Sequence, residues 1–336
     1  MSRALVTGGS GFLGAHLADA LHAAGHEVVV LDVVEPGRPL PEGQVFVRAD
    51  VRDRAAVARA AAGCEVVVDN AALVPVTRST AAEFRAVNVS GCRNVLDAAR
   101  AEGAYVVHVS SSAIYGKPRR MPVTEDTPLE PFEPYGASKA EAEALVRRER
   151  ARGLPVSSLR SRALLGRGRL GLFELIFSRI RQGKPVPLFG RGDNLLQMCD
   201  ARDFADAMLR CVELRAIGDY NIGAAEFATP RRDLEALIAR LGSASRLVPV
   251  PVWVIRAVLQ PLAVAGRSPF TAWHWHASSA TFHASLERAE RELGWRPRYS
   301  NVDALERAYH EYVAGTAGGS AHSAPLRGAL ARLLRG

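Results

Sequence analysis

The chain has 336 residues, 48% of them hydrophobic, and a formal charge of +8. No apolar run approaches the ~20 residues that a membrane-spanning helix needs. Three of the surplus charges, Arg327, Arg332 and Arg335, lie in a tail without an acid; the others are dispersed, which speaks against a nucleic-acid partner and suits an enzyme that handles anionic cofactors or substrates.

Residues Ala4–Thr7 read as a short buried strand. Gly8-Gly9-Ser10-Gly11-Phe12-Leu13-Gly14 follows, then an amphipathic helix to about Ala24 that Gly25 stops, then an apolar run Glu27–Leu31 ending in Asp32. Strand, glycine turn, helix, strand and acid make the opening of a dinucleotide-binding βαβ unit. Gly8 permits the tight turn, Gly11 lets the backbone approach a pyrophosphate, and Gly14 lets the helix pack on the strand. The phosphates sit on the helix N-terminus, where N–H groups and the dipole favour an anion. Asp32, 21 residues after Gly11, is placed to accept from the adenosine ribose hydroxyls and to repel a 2′-phosphate, so NAD is expected rather than NADP.

Further strands are predicted at Gln44–Val47, Glu65–Val68, Tyr105–Val109 and Val156–Arg160, with helices at Arg54–Ala62, Ala81–Ala101 and Tyr135–Arg152. Asp50-Val51 lies beside the adenine, or Asp50 caps the helix that follows. Asn70-Ala71-Ala72 puts small residues where the cofactor backbone passes. The proline- and acid-rich stretch from Lys117 to Pro134 reads as a rigid cover. Ser111 arrives at the C-terminal end of its strand, the edge at which open parallel sheets bind ligands.

Tyr135 and Lys139 are four apart and share one face of a helix. A phenol loses its proton near pH ~10, and an ammonium held beside it pulls that value down. The pair makes a general base that takes a proton from an alcohol or returns one to a ketone, with Ser111 holding the same oxygen. The chain has only three lysines, Lys117, Lys139 and Lys184, which makes the Tyr-x-x-x-Lys spacing the more telling.

Later segments read as a helix at Asp203–Leu214, a strand at Tyr220–Ile222 and a helix at Thr229–Leu241, with Thr229 as N-cap and Pro230 at its first position. Pro249–Gly266 is an apolar cover over the substrate. Trp273-His274-Trp275-His276, with His283 nearby, reads as an aromatic wall in preference to a metal site. Gly315–Ala324 is a flexible linker. Pro325–Gly336 is a short basic amphipathic helix for a membrane surface, a partner or its own domain. The cysteines Cys64, Cys92, Cys199 and Cys211 have no paired spacing, and the start Met1-Ser2-Arg3 runs straight into a strand. Reduced thiols in a cytoplasmic protein without a signal peptide are expected.

The motifs together resemble the extended short-chain dehydrogenases/reductases, in particular their NAD-dependent epimerase/dehydratase group. The matching residues are Thr7–Gly14, Asp32, Asp50-Val51, Asn70-Ala71-Ala72, Asn88-Val89-Ser90-Gly91, Ser110-Ser111-Ser112 and Tyr135-Gly136-Ala137-Ser138-Lys139. Pro187–Gly192, Tyr220–Gly223 and Leu293–Pro297 also match, so the likeness spans about residues 3–312. It implies a Rossmann-like doubly wound parallel α/β sheet over 1–170 and about 200–225. A smaller, interleaved substrate-binding α/β region would comprise 171–199 and 226–314, with a linker and tail at 315–336. It implies Ser111, Tyr135 and Lys139 as catalytic residues and no metal. NAD would be held by Gly8, Gly11, Phe12, Leu13, Gly14, Asp32, Asp50, Val51, Asn70, Ala71, Ala72, Ser110, Tyr135 and Lys139. A small-molecule substrate would be held by Leu73, Ser111, Ser112, Tyr135 and Arg162. A homodimer through helices 81–101 and 135–152 is also implied.

Members that dehydrate nucleotide sugars carry an acid just after the catalytic serine; here Ser112 and Ala113 stand there, which argues against a 4,6-dehydratase. Epimerisation of a sugar, in the first place a nucleotide sugar, is the leading expectation. The alternative is a reductase or dehydrogenase of a less charged alcohol or ketone. It draws weight from Leu196-Gln197, which stand where sugar-nucleotide members show Arg-Asp; Arg160, Arg162, Arg167 or Arg169 supply compensating charge or are surface residues. A sensor that only binds the cofactor is disfavoured by the intact Tyr135 and Lys139.

Overall fold

The structure, a computed structural model, describes residues 2–75, 79–166, 172–251, 253 and 280–315. The Trp273–His276 cluster, most of Pro249–Gly266, Arg167, Arg169 and the tail lie outside the described residues. The chain forms two compact units. The first comprises Met1–Arg162, Ala201–Gly223 and Ala284–Pro297, and the second Ala163–Asp200, Ala224–His283 and Arg298–Gly336.

The first unit is built on seven strands: β1 (Arg3–Thr7), β2 (Glu27–Asp32), β3 (Gln44–Arg48), β4 (Val66–Asp69), β5 (Tyr105–Val109), β6 (Val156–Arg160) and β10 (Gly218–Asn221). They pair in the order β10-β6-β5-β4-β1-β2-β3, every pair parallel. The order reverses between β1 and β4, the point at which such sheets bind a ligand. The central strands are runs of Val, Leu and Ala, buried on both faces (Ala4–Val6, Val28–Leu31, Val66–Val68), as a sheet covered by helices on each side requires.

On one face α1 (Phe12–Ala23) packs with α7 (Ala201–Leu214). On the other lie α2 (Arg54–Ala61), α4 (Cys92–Glu102) and α5 (Pro134–Ala151). They enclose a core that includes Val29, Leu31, Val57, Val67, Val95, Leu96, Val106 and Val146. The helix expected over 81–101 is not uniform: α3 (Ala81–Arg85) runs into a π-turn, Ala86–Gly91, before α4. Such an extra residue in a helix marks a local demand on the backbone; here it carries Asn88. Among the described residues no helix is long and apolar enough to cross a membrane.

The second unit holds two parallel strand pairs, β7 (Ala163–Leu165) with β9 (Met198–Asp200), and β8 (Val186–Phe189) with β11 (Leu247–Val250). Helices α6 (Leu172–Arg181), α8 (Pro230–Arg240) and α9 (Asn301–Val313) close over Phe177, Met198, Leu237 and Leu305. Thr229 caps α8 by accepting from the Arg232 N–H, with Pro230 first in the helix, as its sequence predicts.

Candidate active site

The glycine turn leaves β1 at Gly8. A Cβ at Gly14 would lie 2.1 Å from the Gly8 carbonyl oxygen, so only glycine lets α1 begin this close to the strand. No side chain caps α1 at Gly11, which keeps its first-turn N–H groups for an anion. Asp32, buried at the end of β2, accepts from the backbone N–H of Ser10 and of Val34, each at 3.1 Å. Asn70 is more than a small residue beside the cofactor path: its Nδ2 donates to the Thr7 and Gly8 carbonyls at 3.2 and 3.1 Å. Thr7 Oγ1 in turn accepts from the Asn70 and Ala71 N–H groups. The ends of β1, β2 and β4 are thus tied at one sheet edge around an uncapped helix terminus, a cradle that fits a dinucleotide pyrophosphate.

Asp50 does not cap α2. Asp53 does, accepting from the Ala56 N–H at 3.0 Å, three residues on as an N-cap requires. Asp50 instead holds Arg52, taking its backbone N–H at 2.8 Å and its guanidinium at 2.6 Å. That hydrogen bond holds the Asp50 carboxyl below its ordinary pKa. Val51 is buried in the core under α4. Ser110 donates its N–H to the Leu159 carbonyl and its hydroxyl to Glu143 at 2.6 Å, both inside the fold.

Ser111, Tyr135 and Lys139 are all buried in the first unit. Ser111 heads a short 3₁₀ turn, Ser112–Tyr115, and its Oγ accepts the Ala113 N–H at 3.2 Å, which leaves its own O–H to donate. Glu133 caps α5 by accepting from the N–H groups of Tyr135 and Gly136. A Cβ at Gly136 would lie 2.7 Å from the Ala113 oxygen, so this glycine lets α5 press onto the turn that carries Ser111. Leu73, Phe84 and Ala113 pack around the Tyr135 ring, with Phe84 edge-on at 6.0 Å. Lys139 Nζ donates to the Val109 carbonyl at 2.7 Å. Burial pushes its pKa down, and Asp69 is the first of the charges that oppose this.

Asn88, known from the sequence only as part of a motif, links these pieces. Its amide donates to the Leu73 carbonyl and to Ser138 Oγ and accepts the Leu73 N–H, while Ser138 donates to the Tyr135 carbonyl. The β4 loop and the start of α5 are therefore fixed to one another through the π-turn.

Arg160 is neither a surface residue nor a free phosphate ligand. Its side chain is fully buried, with Nε and Nη2 on Glu143 at 2.8 and 2.5 Å, Nη2 on Asp219 at 2.6 Å and Nη1 on the Tyr115 hydroxyl at 2.8 Å. Arg162 is half-buried, and desolvation pulls its pKa down to about 10. In the second unit, Gln197 is buried and donates to the Ala224 carbonyl at 2.7 Å. His283 packs against Phe227 with ring centroids 5.4 Å apart.

Residues 4–223 match the model of the NAD dependent epimerase/dehydratase family. The protein y4nG of Sinorhizobium fredii is 35% identical over 338 aligned positions, covering 98% of this chain and 85% of that one. A UDP-glucose 4-epimerase of Mycolicibacterium smegmatis is 33% identical, covering 70% of this chain and 82% of its own. The crystal structure of DesIV, a dTDP-glucose 4,6-dehydratase from Streptomyces venezuelae with NAD and TYD bound, superposes with a TM-score of 0.74. It is 29% identical over 93% of this chain and 97% of its own. With a seven-stranded parallel sheet, a dinucleotide cradle at its switch point and a match over most of its length, the chain belongs to the NAD dependent epimerase/dehydratase family and is an NAD-dependent enzyme.

Proposed function

We propose that the protein is an NAD-dependent sugar epimerase acting on a nucleotide sugar. The observation that carries this reading is the joint burial of Tyr135 and Lys139 on α5, pressed through Gly136 onto the turn headed by Ser111. Bound NAD supplies a hydride acceptor that also returns the hydride. Tyr135, as phenolate, takes the proton of the substrate carbinol. Lys139, as ammonium, makes that phenolate accessible near neutral pH. Ser111 donates its O–H to the same oxygen and holds it while the carbon is flat. Once the opposite face of the flat carbon is presented for reduction, Tyr135 would return the proton to the same oxygen, still held by Ser111. Ser112 and Ala113 offer no second acid/base for an elimination, which separates this reading from a dehydratase.

NAD is held in this reading by the Gly8–Gly14 turn, with Phe12 and Leu13 at the helix terminus, by Asp32 and by the small residues Ala71 and Ala72. Leu73, Ser112 and Arg162 line the substrate side. The four cysteines are all free and buried, in keeping with a cytoplasmic enzyme, and a homodimer through α4 and α5 is part of the proposal. The test is proton NMR of purified protein with UDP- and dTDP-hexoses. Appearance of the epimer without accumulation of NADH supports the reading; NADH formation in step with substrate loss, or no change in any nucleotide sugar, contradicts it. A second reading, reduction of a less charged ketone, is favoured by one observation: Leu196 stands where the resemblance expects a substrate-binding arginine, and its neighbour Gln197 donates inward to the Ala224 carbonyl instead of offering a charge.

A further inference from the structure

A lysine buried as deeply as Lys139 is not guaranteed to be charged. Taking an ammonium out of water disfavours it strongly, and the Val109 carbonyl is a neutral partner. Yet only the ammonium can pull the Tyr135 pKa down. The fold must therefore supply a negative charge close by.

Among the described residues, and besides Tyr135 itself, the titratable groups gathered around Lys139 come from four elements. Glu143 lies one turn on along α5, but it is engaged by Arg160 through two hydrogen bonds. Cys92, on α4, is fully buried, and burial together with Asp69 pushes its thiol pKa well above the ordinary value, so it is neutral. His108 and Asp69 are register partners on β5 and β4, and they meet at 2.7 Å between His108 Nδ1 and Asp69 Oδ2. His108 is 1% exposed and its Nε2 is buried with no hydrogen-bond partner. A doubly protonated imidazole would bury that N–H unsatisfied, so His108 is neutral and gives its single proton, on Nδ1, to Asp69. The carboxylate is thereby kept ionised: burial pushes Asp69 up, and the His108 hydrogen bond with the Lys139 charge outweighs it.

We propose that Asp69, oriented by His108, is a positioning residue of the Tyr135–Lys139 pair: it is the buried counter-charge that keeps Lys139 an ammonium. Asp69, Cys92 and His108 carry the atom types of a metal site, with those atoms within 4.8 Å of one another. Lys139 Nζ is held at 2.7 Å on the carbonyl of Val109, the residue after His108 on β5, so a buried cation already stands at this strand end; Cys92 is a thiol rather than a thiolate, and the role assigned to the cluster is to balance charge. The sequence offers no hint of this arrangement, because Cys92 and His108 stand 23 and 39 positions after Asp69. The proposal rests on the reading of Tyr135 as base, and its test is arranged to separate the two.

With Lys117 and Lys184 replaced by arginine, Lys139 is the only lysine left, and carbon-13 labelling at Cε follows its ionisation by NMR without substrate. The parent protein is expected to keep Lys139 charged through neutral pH. Asp69→Asn is expected to lower its midpoint by at least about one pH unit, a tenfold loss of proton affinity, as the removal of a close opposite charge does. An unmoved midpoint overturns the proposal. If Asp69→Asn does not fold, His108→Leu takes its place. It removes the N–H that holds Asp69 ionised, so Asp69 takes up a proton at higher pH and the Lys139 midpoint falls in the same direction; here too an unmoved midpoint overturns the proposal. Tyr135 is followed separately as the tyrosinate absorbance lost in Tyr135→Phe. In Asp69→Asn its midpoint should rise, because a neutral lysine no longer assists it. A fall would mean that Lys139 is still charged, and would overturn the proposal. A parent Tyr135 titrating at the ordinary phenol value, with the Lys139 shift present, would remove the base assignment and leave the counter-charge standing.

Discussion

Replacing Arg160 by methionine is expected to cost about 3–5 kcal/mol, the usual effect of removing one partner of a buried ion pair. The guanidinium and Glu143 are both 0% exposed. Arg160 makes five hydrogen bonds, to Glu143 twice, Asp219, the Tyr115 hydroxyl and the Glu125 carbonyl. Methionine fills much of the volume but strands Glu143, whose remaining cation, Arg147, lies 3.7 Å away and is 44% exposed. Against a total stability of about 5–15 kcal/mol the loss is large and easily read as a fall in the urea midpoint of far-UV circular dichroism. The pH dependence carries a further check. Burial pushes Asp219 up, but Arg160, Arg150 and Arg147 outweigh it and hold its folded-state pKa below the unfolded value. Its contribution to stability is therefore present above the unfolded pKa of about 4 and lost as pH falls through the lower folded value. In Arg160→Met Asp219 loses one of these three cations and its contribution shrinks, so the deficit against wild type should narrow from about pH 7 to about pH 4. A loss below about 1 kcal/mol, the range of an exposed pair, would mean that water reaches Glu143 and that no buried network stands behind Ser110 and Tyr115.

Other substitutions probe the site piece by piece. Gly136→Ala places a methyl 2.7 Å from the Ala113 oxygen; turnover should drop at least about tenfold through displacement of Ser111 from Tyr135, with the circular dichroism spectrum retained, and an unchanged kcat would contradict the close approach. Tyr135→Phe should abolish turnover and leave NAD affinity, measured by calorimetry, within about threefold of wild type. Asp53→Ala should cost about 1 kcal/mol in urea unfolding as the loss of an N-cap, and Asp50→Ala less than half of that, since Asp50 pairs only with exposed Arg52; equal losses would return the cap to Asp50.

The strands and the cofactor cradle were legible because their signals are local. Parallel strands buried on both faces must be runs such as Val66-Val67-Val68, and a glycine at position 14 has no substitute where a Cβ meets the Gly8 carbonyl. That Tyr135 and Lys139 lie one turn apart on the buried side of α5 was legible because four residues along a helix is a fixed geometry. The π-turn at Asn88 was not, since the demand comes from Leu73 and Ser138, 15 and 50 residues away. Arg160 was misjudged for the same reason: its composition is that of a surface residue, and its partners Glu143 and Asp219 stand 17 and 59 residues off. The helix start at Arg54 was legible, but the acid named as its possible cap, Asp50, stands three residues too early: an N-cap immediately precedes the first helical residue, which makes it Asp53.

In the proposed epimerase the hydride leaves the substrate and returns to it, which requires NAD to stay in place through every cycle. The direct measurement is the cofactor content of the purified protein, denatured without added nucleotide and quantified for NAD and NADH per chain. Close to one NAD per chain, retained through dialysis, is expected. An empty site that exchanges freely and turns over added NADH with a ketone would contradict it and make the protein a net reductase.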